Sequence, residues 1–299
     1  MGNVNNIRLG KLPAKVDKRT IKLRSVIRKE LLPDPPEIYD IDKMLGGVED
    51  NNMYANNKFG CCVTSARAHQ TLRFEKYEQG ELIPITDQEV INQYFKESGG
   101  IDTGLYLLNS MKSWRNKGWI AGGKTYNIYA FASVDWKDHD EVKHCIHLLG
   151  GLNYGFMVPQ SCLDQFKAGE VWSVVSDDGG LQGGHGVYAY KYDLIEGYNE
   201  IGPVCMTWGK RQQMTWEFWD KYVDEAYGIV DNKNDWMGDD SPVDVEKLQA
   251  YLDEITAGNE EENPMSDCPI AKAYVGAGNF LARLFGRRTR ILPPVRNKF

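Results

Sequence analysis

The segment Asn56-Asn57-Lys58-Phe59-Gly60-Cys61-Cys62-Val63-Thr64-Ser65-Ala66 places cysteine where a helix should begin. The positive end of a helix dipole stabilises thiolate over thiol, and a preceding glycine turns the chain tightly and leaves the sulfur approachable. Asn56, an amide six residues before Cys62, could donate to an oxyanion together with the Cys62 backbone N–H. The alternative for such a segment is a buried free cysteine inside a helix. A second segment, Gly183-Gly184-His185-Gly186-Val187-Tyr188, sets a histidine at the entrance of a strand between small neighbours. An imidazole facing a helix-start thiolate forms an ion pair with it, and the imidazolium can then protonate a leaving amine. The alternative is a satisfied structural histidine. Thr207-Trp208-Gly209, followed by Met214-Thr215-Trp216, reads by itself as strand, turn and core aromatic.

Bringing that cysteine and that histidine together needs a helical half and a β half. The pattern predicts a helix from about Gly60 to Tyr77, which carries His69 as a structural residue. A second helix opens at the capping box Thr86-Asp87-Gln88-Glu89 and carries Val90, Ile91, Tyr94 and Phe95. A third is expected from Asp102 or Thr103 to Lys117, closed by Gly118, and a fourth from Asp138 to Leu149. Strands follow at Leu152–Val158, Val171–Val175, Gly186–Tyr192, Val204–Trp208 and Tyr227–Val230, with a short helix at Thr215–Val223. Helices first and a mainly antiparallel sheet second make the fold class α+β rather than alternating βαβ.

The 299 residues are 42% hydrophobic and 26% charged, which excludes a wholly disordered chain. A net charge of −7 argues against a nucleic-acid binder as a whole. Charge is nonetheless segregated. Residues 1–32 form a basic arm ending at Pro33-Asp34-Pro35-Pro36, residues 33–231 a mixed body, and residues 232–299 an acidic segment followed by a basic tail. In that tail Ile270, Ala273, Tyr274, Ala277, Leu281, Leu284 and Phe285 recur at helix-like spacing before Arg287-Arg288-Thr289-Arg290. It reads equally as a docking segment for a protein or nucleic acid and as a helix covering the body. No stretch is apolar enough to span a membrane, and Met1–Gly10 lacks the apolar region of a secretory signal. Six cysteines in so long a chain do not read as a disulfide framework. His144-Cys145-Ile146-His147 has no complementary Cys/His pair at zinc-site spacing, so no metal and no cofactor are expected.

Together the Cys62, His185 and Trp208 segments resemble the papain-like cysteine peptidases over residues 33–231. Gly60 stands two residues and Asn56 six residues before Cys62, as in that family's nucleophile segment. His185 follows Cys62 by 123 residues, slightly less than the ~130–150 of papain and the cathepsins. Thr207-Trp208-Gly209 is similar to the family's Asn-Ser-Trp-Gly turn, and Glu97-Ser98-Gly99-Gly100 lies where the family has a glycine-rich stretch lining the substrate groove. The likeness extends to a branch of bacteriophage and bacterial papain-like proteins. It is carried there by Tyr54–His69, by Asp102-Thr103-Gly104 with Ser113-Trp114-Arg115, by Gly184-His185-Gly186-Val187 and by Arg8-Leu9-Gly10-Lys11-Leu12-Pro13.

The resemblance implies a papain-like fold, helical half against antiparallel β half with the groove between, flanked by charged N- and C-terminal extensions. It implies Cys62 as nucleophile, His185 as proton carrier, and Asn56 with the Cys62 N–H as oxyanion donors. Spacing to Gly60 and Asn56 favours Cys62 over Cys61. The family's asparagine that orients the histidine aligns with Met206, which cannot hold an imidazole tautomer. The orienting group is therefore sought at Met206, Thr207 and Trp208, with Asn199, Asp193 and Glu200 as substitutes. Val63 stands where tryptophan is usual. The basic arm is short for a propeptide and carries no evident block of the groove.

The expected function is thiol-dependent hydrolysis of peptide or amide bonds. The alternatives are a papain-fold structural or interaction protein, such as a phage virion component, and a transglutaminase or amidase using the same pair. Expected partners are a peptide or protein substrate, phage structural proteins through the charged termini, and nucleic acid through the basic segments. The expected location is a host cytoplasm or a virion.

Overall fold

The computed structural model describes residues 7–261, and the apolar spacing of 270–285 lies outside them. Contacts divide the chain after Tyr251 into two units. Elements follow in the order β1 (Tyr39–Asp40), α1 (Ile41–Met44), α2 (Cys62–Gln79), α3 (Asp87–Ser98), α4 (Leu107–Lys117), β2 (Trp119–Ala121), β3 (Lys124–Tyr126) and β4 (Ala130–Ser133). They continue as α5 (His139–Leu149), β5 (Leu152–Pro159), α6 (Gln160–Ala168), β6 (Leu181–Ile195), β7 (Glu200–Thr207), β8 (Lys210–Gln213), α7 (Trp216–Tyr222), β9 (Val223–Val230) and α8 (Val245–Glu261). The order is α+β, as expected. The larger sheet is antiparallel, with strands in the order β4-β9-β5-β6-β7-β8 and β1 added to β6. Among the described residues no helix is long and apolar enough to cross a membrane.

Local chemistry accounts for most boundaries. Thr86 caps α3 by accepting from the Glu89 N–H at 3.2 Å, while the Glu89 carboxylate accepts from the Thr86 N–H at 2.9 Å. Asp138 caps α5 through the Glu141 N–H, and Gly150 closes it in the left-handed region. The third helix starts later than expected, at Leu107. Asp102 and Thr103 lie in a bend, Gly104 takes φ +81° and Leu105 is held in a bridge to Lys11, so the helix cannot begin before Leu107. Val171–Val175 is not a strand; only Trp172 bridges, to Met214. Helices α6 and α8 and strand β8 have no counterpart in the sequence reading.

Helix α2 is buried on nearly every side, although its sequence is not apolar. Its mid-section buries Arg67, His69 and Arg73, and each has an ionic partner. Arg73 donates to Asp42 at 2.7 and 2.9 Å and to Asp50 at 2.8 Å. His69 Nδ1 lies 2.6 Å from Asp50 Oδ2, and Arg67 donates to Glu97 at 2.8 Å. A buried charge is tolerated only when it is paired in this way. One side of this central helix therefore meets α3 and α4, and another meets β6. That arrangement carries the first turn of α2 to the sheet.

Candidate active site

Cys62 is the first residue of α2, and Cys61 is its N-cap. The two thiols go different ways. Cys61 Sγ donates to the Tyr54 carbonyl at 3.3 Å inside the helical core, and burial pushes its pKa up to about 12. Cys62 Sγ instead meets β6, where the Gly186 N–H donates to it at 3.4 Å. The residue before that amide is His185. The helix start and the glycine-flanked histidine strand, singled out separately in the sequence, therefore converge here.

His185 is buried and held on three sides. Its Nε2 lies 2.7 Å from Thr207 Oγ1, and Trp208 stacks on the ring at 4.2 Å between centroids. Phe156, its partner on β5, meets it edge-on at 5.8 Å. Nδ1 has no hydrogen-bond partner among the described residues. The residue beside the imidazole is thus Thr207, not Met206. Side chains alternate along a strand. Met206 pairs with Tyr188 and packs with Tyr190, Val204 and Ala66 on one face of the sheet. Thr207 takes the other face, diagonal to His185, where a hydroxyl can reach the ring. Trp208 and Gly209 form the two-residue turn into β8, both with positive φ (+46° and +71°). Tryptophan is unusual there, and stacking on His185 offsets that strain. Asn199 lies in the turn before β7, Glu200 accepts from the Trp216 N–H at 3.1 Å, and Asp193 pairs with Lys191 at 2.7 Å. None of the three is among the partners of His185.

The expectation that the arm leaves the groove open is overturned. Residues 8–12 run through the cleft as an extended strand. Gly10 and Lys11 N–H both donate to the Gly184 carbonyl, at 3.2 and 3.0 Å. On the opposite wall Leu105 N–H donates to the Gly10 carbonyl at 2.7 Å, and Leu12 N–H to the Leu105 carbonyl at 2.8 Å. The groove wall is therefore Gly104–Leu105, whereas Gly99 and Gly100 follow the end of α3 with open space around them. A Cβ on Gly184 would stand 2.3 Å from the Lys11 carbonyl oxygen, so only glycine admits the arm there. Asn56 Nδ2 donates to the carbonyls of Arg8 and Phe59, each at 3.1 Å. It is a buried amide offered to a peptide carbonyl inside the cleft. The arm turns the Gly10 N–H toward Cys62.

Filling the cleft sets its electrostatics. Burial pushes the Cys62 thiol up, opposed by the N–H groups of Gly186, Gly10 and Val63 and by the Lys11 ammonium. Burial alone pulls His185 down to about 3. The arm-filled pair is therefore neutral thiol and neutral imidazole rather than the expected ion pair, because neither charge is hydrated. Elsewhere, His144 Nε2–H donates to the Pro33 carbonyl at 3.1 Å, His147 packs edge-on against Tyr39, and Cys145 is buried. Among the described residues, only the carboxylates of Glu75, Glu78 and Asp231 cluster closely enough to share an ion. Burial and mutual repulsion push Asp231 up to about 8 and Glu75 up to about 7, so protons neutralise part of that cluster near neutral pH.

No family model matches the sequence, and no curated protein matches it. Solved structures do match. Xylellain, a cysteine protease from Xylella fastidiosa, is 15% identical over 78% of this chain and 99% of its own, with a TM-score of 0.60. The cysteine protease and lectin-like domains of Cwp84 from Clostridium difficile are 11% identical over 76% and 56%, with a TM-score of 0.54. Procathepsin B from Trypanosoma congolense is 12% identical over 75% and 86%, with a TM-score of 0.53. With α2 opening at Cys62 against an antiparallel sheet that carries His185, this chain has the papain-like cysteine protease fold.

Proposed function

We propose that the cleft hydrolyses peptide or amide bonds by thiol catalysis, and that the arm must leave before it does. The observation carrying this reading is the approach of the His185-Gly186 strand to Cys62 Sγ, with the Gly186 N–H at 3.4 Å and His185 Nδ1 left without a partner. The reaction uses the tautomer in which Nε2–H donates to Thr207 Oγ1, 2.7 Å away, and Nδ1 is the base. Nδ1 takes the Cys62 proton as Sγ adds to the substrate carbonyl. Asn56 Nδ2 and the Cys62 N–H hold the oxyanion, and His185 returns its proton to the leaving amine as the C–N bond breaks. Water then adds to the thioester and gives a proton to His185, which returns it to Cys62 Sγ as the C–S bond breaks and the acid leaves. Nε2–H is present in both the neutral and the protonated ring, so the Thr207 oxygen accepts from it throughout and the bond persists as His185 changes charge. The narrower assignment, to a phage-encoded protein acting on cell-wall peptides or virion proteins, draws only on the sequence likeness of Tyr54–His69 and its companion segments.

The test is labelling by an epoxysuccinyl probe, run on the native chain and on a Lys11→Glu variant that loosens the arm. Labelling of the loosened variant that disappears in Cys62→Ala and persists in Cys61→Ala is expected. Labelling that follows Cys61, or none in a folded loosened variant, removes the enzyme reading and leaves a papain-fold binding protein.

A further inference from the structure

The side chain of Lys11 is fully buried, and its ammonium lies 2.7 Å from Asp224 Oδ2 and 3.2 Å from Glu225 Oε1. Consecutive strand residues normally face opposite ways. Here the pairing of β5 with β9 slips between Gly155 and Phe156: Gly155 faces Glu225 and Phe156 faces Val223, which leaves Asp224 as the extra residue. That bulge turns two neighbouring carboxylates onto one point. Gly155 makes the room. A Cβ there would stand 2.0 Å from Lys11 Cε and 3.1 Å from Glu225 Cγ. Glu225 is almost fully buried, its Oε2 accepts from Tyr227 OH at 3.0 Å, and Asp224 is 28% exposed at the mouth. Two adjacent carboxylates in such a place need a cation, and the arm supplies one from this chain. The pocket lies close to the nucleophile, because Lys11 follows the residue whose N–H faces Cys62.

We propose that the pocket formed by Gly155, Asp224 and Glu225 is a specificity pocket for a lysine or arginine side chain of the substrate, and that Lys11 occupies it in the resting protein. The proposal deepens the peptidase reading and rests on it for the word substrate. The pocket's preference for a cation can be tested without turnover. An aliphatic side chain of the same length would leave the carboxylates unpaired, and an acidic one would add a third negative charge.

The experiment measures alkylation of Cys62 by iodoacetamide, located by peptide mass spectrometry in the full chain. Lys11→Glu and Lys11→Ala, each checked for native circular dichroism, should raise the alkylation rate at least tenfold over the native chain. Synthetic peptides spanning residues 7–16, with lysine, arginine, norleucine or glutamate at the position of Lys11, are then added in trans to either variant. Lysine and arginine peptides should protect Cys62 at concentrations at least tenfold below those the norleucine peptide needs, and the glutamate peptide should not protect. The preference should vanish when Asp224→Asn and Glu225→Gln are added. Equal protection by the lysine and norleucine peptides, or a preference that survives loss of both carboxylates, overturns the proposal. So does an unchanged alkylation rate in both Lys11 variants, because the pocket would then contribute nothing to holding the arm. A protein that protects as expected but never reacts with an epoxysuccinyl probe would sink the peptidase reading and keep the pocket.

Discussion

Two buried histidines, His69 on helix α2 and His185 on strand β6, are treated oppositely by the protein. His69 is closed in by charge: Asp50 lies 2.6 Å from Nδ1, and Arg73 ties Asp50 to Asp42. Burial would raise the Asp50 carboxyl, but His69 and Arg73 hold it well below the usual carboxylate range. His185 has no carboxylate. It has one hydroxyl, two aromatic walls and a ring nitrogen without a partner. A histidine beside a fixed counter-ion serves structure. One kept neutral by burial alone stays ready to change charge when the wall that buries it is removed.

The contrast can be broken most sharply at Arg73. Arg73→Met leaves Asp42 and Asp50 buried without their main cation and should destabilise the protein by about 3–5 kcal/mol in urea unfolding. A loss below about 1 kcal/mol would mean that the network is not the rigid side of the comparison. Thr207→Val should cost less, about 1–3 kcal/mol, for one stranded imidazole N–H. Thr207→Ser should recover most of it. In a turnover assay of the loosened protein, Thr207→Val should lower kcat more than it changes KM.

Acid comes next. The pKa of His185 falls from 6.5 unfolded to about 3 in the filled cleft. The unfolded state therefore binds the extra proton between those values, and stability of the folded state declines as pH falls through that window. Alkylation of Cys62, corrected for the reagent's own thiol pH dependence, should quicken from pH 7 to pH 5 in the native chain. A flat corrected profile would place His185 outside the linkage. A third mode belongs to Asp231, which is neutralised by a proton rather than by a counter-ion or a hydroxyl. With its pKa raised to about 8, the folded state keeps a proton that the unfolded chain releases above the usual carboxylate range. Stability should fall as pH rises from 5 to 8.5, and Asp231→Asn should flatten the Tm profile over that range.

Much of the site was legible because its signals are local. Gly60 before Cys62 marked a helix start, Thr86 and Glu89 spelled out a capping box, and Gly184-His185-Gly186 marked a strand histidine, though one that the structure buries rather than leaves accessible. Thr207 was harder to read. Choosing it over Met206 requires the register of β6 against β7, which shifts between Ala189 and Lys191, and no local pattern fixes that. The groove wall at Leu105 and the acid pocket at Asp224 and Glu225 come from pairings between distant segments. One depends on the arm itself and the other on a bulge. Leu9-Gly10-Lys11 carries no alternation, because its backbone is gripped from both sides while one long side chain goes into the pocket. Helix α2 was found by its length and its lack of breakers, yet its buried arginines mean that hydrophobic periodicity alone would have missed its burial.

The arm's attachment gives the cleft a concentration threshold. Beyond the cleft the arm is anchored again: the Ser133 N–H donates to the Ile21 carbonyl at 2.7 Å, and the Arg28 N–H to the Pro242 carbonyl at 2.8 Å. A segment tethered by such anchors on its C-terminal side does not diffuse away when it slips out. It re-enters with an effective local concentration on the order of millimolar. On the proposed peptidase reading, a peptide in solution competes with an intramolecular rival that dilution cannot weaken. A dilute ligand is turned away even when its intrinsic fit matches that of the arm, while one presented at high density on a polymer or a surface meets the arm on equal terms.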